Sequence, residues 1–156
     1  MLEPNSSVDA IWTAAFDGTA LPNPGRIGLG AVLNAPDGRR FEISRPAQQH
    51  GCNNEAELLA LCALLELADE LGAERLHING DSDVAVRYVQ GQASTQSAHL
   101  LPLIARAQQL ASQFGCVELH WVPQHRNQEA DALARQALGL PERQVERKAR
   151  SGHKRR

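Results

Sequence analysis

The sequence predicts an α/β fold: a five-stranded mixed sheet, three antiparallel strands then two parallel ones, flanked by helices. Three observations carry this. Residues 8–46 fall into short apolar, β-rich stretches broken by Pro and Gly, the pattern of strands joined by turns. From Asn53 the period changes, and Leu58, Leu61, Cys62 and Leu65 recur at i, i+3, i+4 and i+7, as on a helix. Two further β-type runs, 75–80 and 117–122, are separated by helical patterns. Strands linked through helices run parallel by right-handed crossovers.

Residues 8–16 read as a buried strand with β-branched, aromatic and small apolar residues. Pleating puts Ile11, Thr13, Ala15 and Asp17 on one face and Trp12, Ala14 and Phe16 on the other. Asp17 is then expected to leave the sheet at the strand's end, with Gly18 turning the backbone and the Thr19 hydroxyl beside it. Residues 18–27 read as a loop, since Leu21-Pro22-Asn23-Pro24-Gly25 does not suit a central strand. Strands at 28–34 and 40–46 flank the turn Pro36-Asp37-Gly38-Arg39. Asn53 or Asn54 is the expected N-cap of a helix running to about residue 71, where Gly72 ends it.

The strand at 75–80 runs into Asp81-Ser82-Asp83 and a short helix over about 82–89. Residues 91–96 are a polar link. A helix over about 98–114 places Leu100, Leu103, Ile104, Ala107 and Leu110 on one side, with Pro102 in its first turn and Gly115 as its stop. The fifth strand is 117–122 and the loop after it is 123–126. Asn127 is the expected cap of a last helix, about 128–138, and Gly139 and Pro141 end the fold.

A chain of 156 residues suits one domain with its own core, here 1–141, followed by a basic tail, 142–156. Its 42% hydrophobic and 22% charged residues are ordinary for a soluble globular chain, and no stretch approaches the ~18 apolar residues of a membrane span. Residues 1–9 lack a basic region followed by an apolar run, so no signal peptide is expected. Cys52, Cys62 and Cys116 are odd in number and form no CxxC pair, which points to a reducing compartment and a cytoplasmic location. A monomer without a membrane partner is expected. The net charge of −2 is the sum of −7 over residues 1–141 and +5 over residues 142–156. An acidic body with a basic tail fits a polyanionic partner, as it also fits a solvated terminus.

Asp17 and Asp81 end strands that should be parallel neighbours, so both belong at one sheet edge, where open α/β sheets bind ligands. Glu57 and Asp131 lie near helix starts that can reach the same edge. Each has an ordinary reading too: turn capping for Asp17 and Asp81, and a favourable helix N-terminus for Glu57 and Asp131. Together they form a set that cannot stand unaided. Two unit charges 4 Å apart repel by about 4 kcal/mol at an effective dielectric of about 20. All-oxygen ligands call for a hard cation, Mg²⁺ or Mn²⁺, and carboxylates suit an ion pair ~3.5–4 Å apart that clamps a phosphodiester.

These residues also resemble a known family. Asp17-Gly18-Thr19 with Asn23-Pro24-Gly25 and the Gly-rich strand after it is similar to the first motif of type 1 ribonuclease H. Asn53-Asn54-x-x-Glu57-Leu58 is similar to the second, Asp81-Ser82 to the third, and His125…Asn127-x-x-Ala130-Asp131-x-Leu133-Ala134 to the fourth. Each motif alone is weak; their joint order and spacing over about residues 10–138 is specific. The resemblance implies a ribonuclease H-like sheet and two Mg²⁺ ions, replaceable by Mn²⁺, on Asp17, Glu57, Asp81 and Asp131. It implies that water cleaves the RNA strand of an RNA–DNA hybrid, leaving a 5′-phosphate and a 3′-hydroxyl. His125 corresponds to a loop histidine that assists proton movement and product release, although it precedes Asp131 by only six residues. An exposed loop histidine without a role is the plainer alternative.

The implied substrate contacts are Gly18, Thr19, Asn23, Asn53 and Asn54, of which the three amides also suit turn and cap roles. Two departures stand out. Asp83 replaces a glutamine common two places after the third acid, and the basic, Trp-containing insertion of many members is reduced to the uncharged residues 91–96. The alternatives are a DNA-cutting nuclease or resolvase on the same fold, and a hybrid-binding module without catalysis. If the basic tail replaces the missing insertion, removing residues 142–156 will weaken hybrid binding and flatten its salt dependence, because each phosphate contact adds about −0.9 to the log–log slope. A filter-binding titration across salt concentrations reads both; an unchanged slope would set the tail aside.

Overall fold

The computed structural model describes residues 10–143. In chain order the elements are β1 (Ile11–Leu21), β2 (Arg26–Asn34), β3 (Arg40–Pro46), α1 (Asn53–Glu70), β4 (Arg75–Gly80), α2 (Asp83–Gln90), α3 (Leu101–Ala111), β5 (Cys116–Trp121) and α4 (Gln128–Ala137). The strands make one five-stranded sheet of order β3-β2-β1-β4-β5. The β1–β2 and β2–β3 pairs are antiparallel, and the β1–β4 and β4–β5 pairs are parallel. This is the mixed α/β sheet the sequence predicts.

The apolar stripe of α1 explains its position. Leu58, Leu61, Leu64 and Leu65 are essentially without solvent contact, and α1 packs on β1 and β2 and against α3. Phe16, Leu33, Leu76 and Ile78 fill the sheet side of this core. Each such side chain contributes about 1.5–3 kcal/mol on burial. The helix α4 packs on β1, β2 and β3, with Ala130, Leu133 and Ala134 buried. Helices therefore cover both faces, although β5 keeps its outer positions exposed.

Several local expectations are corrected. Asp17 does not leave the sheet, and residues 18–27 are not all loop. β1 continues to Leu21, paired with β2 from Asp17↔Gly30 to Leu21↔Arg26. The antiparallel ladder outweighs the local signal of Gly18, and only residues 22–25 make the turn. The parallel ladder with β4 does end early, at Phe16↔Gly80. The sheet therefore forks at Asp17, which keeps this carboxylate at the C-terminal edge of β4.

The N-cap of α1 is Cys52, with extended backbone, and neither asparagine has that role. The Cys52 N–H donates to the Glu55 carboxylate at 2.9 Å, which closes the first turn from the other direction. Glu57 consequently sits one turn into the helix. The helix α3 is shorter than its apolar pattern: it starts at Leu101, because the Ser97 hydroxyl accepts the His99 and Leu100 N–H groups in a turn, and it ends at Ala111 before Gly115. A 3-10 turn spans Gln124–Arg126. The expected strand start at Val8 and the tail beyond Arg143 lie outside the described residues.

Two glycines allow the layers to meet. A Cβ on Gly18 would stand 2.1 Å from the Ala56 carbonyl oxygen and 2.6 Å from the Glu57 nitrogen. A Cβ on Gly30 would stand 2.3 Å from the Ala130 carbonyl oxygen. Backbone, not flexible side chain, occupies both positions. Gly18→Ala should therefore cost about 1–3 kcal/mol or more, as an overpacked core does. Urea denaturation of both chains measures it, and a loss below about 0.5 kcal/mol would contradict the close approach.

Candidate active site

The fork in the sheet creates the site. Asp17 and Asp81 each follow the last parallel pair, Phe16↔Gly80, and so emerge side by side. The approach of α1 at Gly18 brings Glu57 to the same point. One ligand oxygen from each of Asp17, Glu57 and Asp81 lies within 4.8 Å of the others. Asp17 is 5% exposed and Glu57 8% exposed. The approach of α4 at Gly30, the strand partner of Asp17, brings Asp131 beside them. Asp131 lies outside the three-acid group, and its carboxylate is held by Arg143, 3.1 Å from Nε and 3.0 Å from Nη2.

The electrostatics follow from burial and crowding. Burial, and after it the neighbouring Asp81 charge, push the Asp17 carboxyl from its ordinary 3.8 up to about 8. Burial and the Asp17 charge hold Glu57 well above the usual carboxylate range. Asp81 is also raised by burial, against the pull of the Asn127 amide. Among the described residues, Glu57 Oε1 and Asn127 Oδ1 are buried without a hydrogen-bond partner. Such oxygens are costly unless something cationic or hydrogen-bonding meets them. Three crowded carboxylates and an unmatched buried oxygen make a donor set that fits hard divalent cations.

The remaining candidates divide. Asn23 and Asn53 do come together: Asn23 Oδ1 accepts the Asn53 N–H at 3.0 Å, and Asn53 Oδ1 accepts the Ala20 N–H at 2.9 Å. A backbone bridge between Gly25 and Gly51, with both bonds 2.9 Å, ties the turn to the start of α1. Asn54 and Thr19 are half-buried nearby, and Gly18 is enclosed in β1. His125 lies on the 3-10 turn, exposed, and lines an open hollow of about 250 Å³ with Ala15, Asn127 and Glu129. Asp83 leans toward Arg87, 3.6 Å away on the next turn of α2.

Three residues at the site were missed by the sequence reasoning. Asn127 precedes α4 as expected, but its side chain makes no cap bond. Its Nδ2 donates to the Phe16 carbonyl at 2.9 Å and to Asp81 Oδ2 at 3.3 Å, so it ties β1, Asp81 and α4 together. The spacing of Ala130, Leu133 and Ala134 at i+3, i+6 and i+7 from it was the available signal that it stands over a buried helix face. Trp121, at the end of β5, is half exposed and donates from Nε1 to the Asp81 carbonyl at 3.2 Å. Arg143 was counted in the basic tail, and nothing local in sequence points it at Asp131.

A sheet of this order with an acidic centre at the fork defines a ribonuclease H-like domain. The family profile described as Reverse transcriptase-like matches residues 15–137. The chain belongs to that family. It is 38% identical over 123 residues to the "Bifunctional protein Rv2228c" of Mycobacterium tuberculosis, covering 78% of this chain and 34% of that protein. It is 34% identical over 125 residues to a protein named "Ribonuclease HI" of Halobacterium salinarum, covering 80% and 63%. The chain thus spans about a third of the first relative and under two thirds of the second.

Among solved structures, the N-terminal RNase H domain of Rv2228c superposes with a TM-score of 0.76 at 36% identity, covering 81% of this chain and 98% of that one. RNase H1 of Halobacterium salinarum gives 0.78 at 34% identity, with 83% and 98% covered. LC11-RNase H1 in complex with an RNA/DNA hybrid gives 0.75 at 25% identity, with 82% and 96% covered.

The raised Asp17 carboxyl has a pH signature in metal-free protein. The folded state holds its proton up to about pH 8, whereas the unfolded chain releases it near 3.8. Its contribution to stability is intact below pH 3.8 and is lost as pH rises toward 8. Metal-free melting temperatures should fall across that window, and Asp17→Asn should reduce the fall and stabilise the protein at pH 8. Calorimetric scans from pH 5 to 8 in EDTA test this; a variant parallel to the parent would refute it.

Proposed function

We propose that this domain is a divalent-metal-dependent endonuclease that hydrolyses the RNA strand of RNA–DNA hybrids, leaving a 5′-phosphate and a 3′-hydroxyl. The observation that carries the reading is the convergence of Asp17, Glu57 and Asp81 with an unmatched buried oxygen on Glu57. The family and the names of its relatives supply the substrate class. Asp17, Glu57 and Asp81, with Asp131, are the residues that would hold Mg²⁺, or Mn²⁺ in its place. When bound, such ions supply Lewis acidity to an in-line displacement at phosphorus.

The chain's own groups do the rest of the positioning. Asn127 orients the Asp81 carboxylate through its amide and locks it to β1. Asn23 and Asn53 have their carbonyl oxygens engaged, which leaves their amide N–H groups to donate outward. Donors at this place suit ribose 2′-hydroxyl oxygens and minor-groove acceptors. Thr19 and Asn54, with the Gly18 backbone, complete this contact surface. His125, exposed beside the hollow next to Asn127, would take or return a proton at its imidazole in this reading. The same reading has the domain acting as a monomer and in the cytoplasm, the location being the one that three unpaired thiols suit.

One cleavage assay tests the proposal. The protein is offered an RNA–DNA hybrid, double-stranded RNA and duplex DNA, each with Mg²⁺, Mn²⁺ or EDTA. Cutting of the hybrid's RNA strand with either ion and none in EDTA is expected, and Asp17→Asn should remove it while the variant stays folded by circular dichroism. Cutting of duplex DNA instead would make it a DNA nuclease of the same fold, and binding without any cutting would make it a recognition module.

A further inference from the structure

Arg143 is the first cation of the basic C-terminal stretch, and it is turned inward. Its guanidinium meets both oxygens of Asp131 in a two-pronged, charge-assisted pair, at 3.0 and 3.1 Å. The Asp131 side chain is only 8% exposed, whereas that of Arg143 is 46% exposed. The anion is therefore fixed in the fold, and the cation sits at its solvent side, where it can leave. The guanidinium also lies within electrostatic reach of Asp17 and Asp81. A unit positive charge thus stands at the margin of the acid cluster, on the one acid outside the three-oxygen group.

We propose that Arg143 is a resident counter-ion of Asp131 that competes with a divalent cation for this carboxylate, and so sets the metal concentration at which the fourth acid is engaged. The inference rests on the reading of the acids as a divalent-metal centre. Competition follows from charge and geometry together. A divalent ion on Asp131 would be repelled by a guanidinium on the same two oxygens, and the planar fork fills the carboxylate's plane. The ion binds Asp131 only as the guanidinium swings off. Arg143 is a positioning residue in this account, since it acts through Asp131.

The test uses the full chain with Arg143→Gln, Arg143→Lys, Asp131→Asn and the Arg143→Gln/Asp131→Asn double variant. Two readouts other than activity are followed: calorimetric Mg²⁺ titration, and the Mg²⁺-induced rise in melting temperature at constant ionic strength. Arg143→Gln should lower the half-saturating Mg²⁺ concentration by roughly tenfold, about 1.4 kcal/mol. Arg143→Lys, which keeps charge without the fork, should fall between. In the Asp131→Asn background, Arg143→Gln should have no such effect. A merely structural contact would lower the melting temperature equally at every Mg²⁺ concentration and leave half-saturation unmoved, and that result would overturn the proposal. No Mg²⁺ response in any chain, the parent included, would instead overturn the metal centre, and this inference with it.

Discussion

No side chain can stand between β1 and the first turns of α1, or between β2 and α4, and the acidic centre depends on both gaps. At Gly18 the Ala56 carbonyl lies where a Cβ would be, and at Gly30 the Ala130 carbonyl does. Glu57 follows Ala56 and Asp131 follows Ala130, so each contact sets the residue that carries the next carboxylate. The strand between them supplies Asp17, opposite Gly30 and one place before Gly18. Three acids are thus positioned by rigid elements, with backbone against backbone. This is the kind of support an ion site needs, because ligands on strands and helices hold their geometry better than ligands on loops.

Holding these charges together opposes stability. Burial raises Asp17, Glu57 and Asp81 above their ordinary range, and Glu57 keeps an oxygen without a partner. A packed core of the same size would gain by replacing them with apolar residues. The domain meets the cost only in part, through the Asn127 amide on Asp81 and the Arg143 fork on Asp131. Conflict between local energetics and fold is expected where a site has work to do. The Leu-rich interior of α1, directly beneath, supplies the stability that such a conflict requires.

The sheet was legible because periodicity records it directly, and the meeting of Asp17, Glu57 and Asp81 because carboxylates at the end of a parallel ladder and at a helix start can share one sheet edge. The limits were equally physical. Gly18 and the prolines after it signalled a loop, yet the ladder from Asp17 to Leu21 holds β1 straight; pairing energy is not written in the strand's own residues. The helix start at Cys52 was hidden because Asn53 and Asn54 are better caps by type, while the Asn53 side chain instead accepts the Ala20 N–H of β1. Asn127 looked like a cap for the same reason and instead points into the site. The Arg143–Asp131 pair spans twelve residues across the length of α4, a distance that no local pattern reports.

The bonds that run from Asn23 to Asn53 and on to Ala20 have one more implication. They weld the outermost amides to the very strand that bears Asp17. Ala20 and Asp17 are three strand residues apart, or ~10 Å at ~3.3 Å per residue. On the proposed function, grip and blade share a single stiff ruler, and the point of action along a bound polymer would be fixed by its offset from the place where the polymer is held.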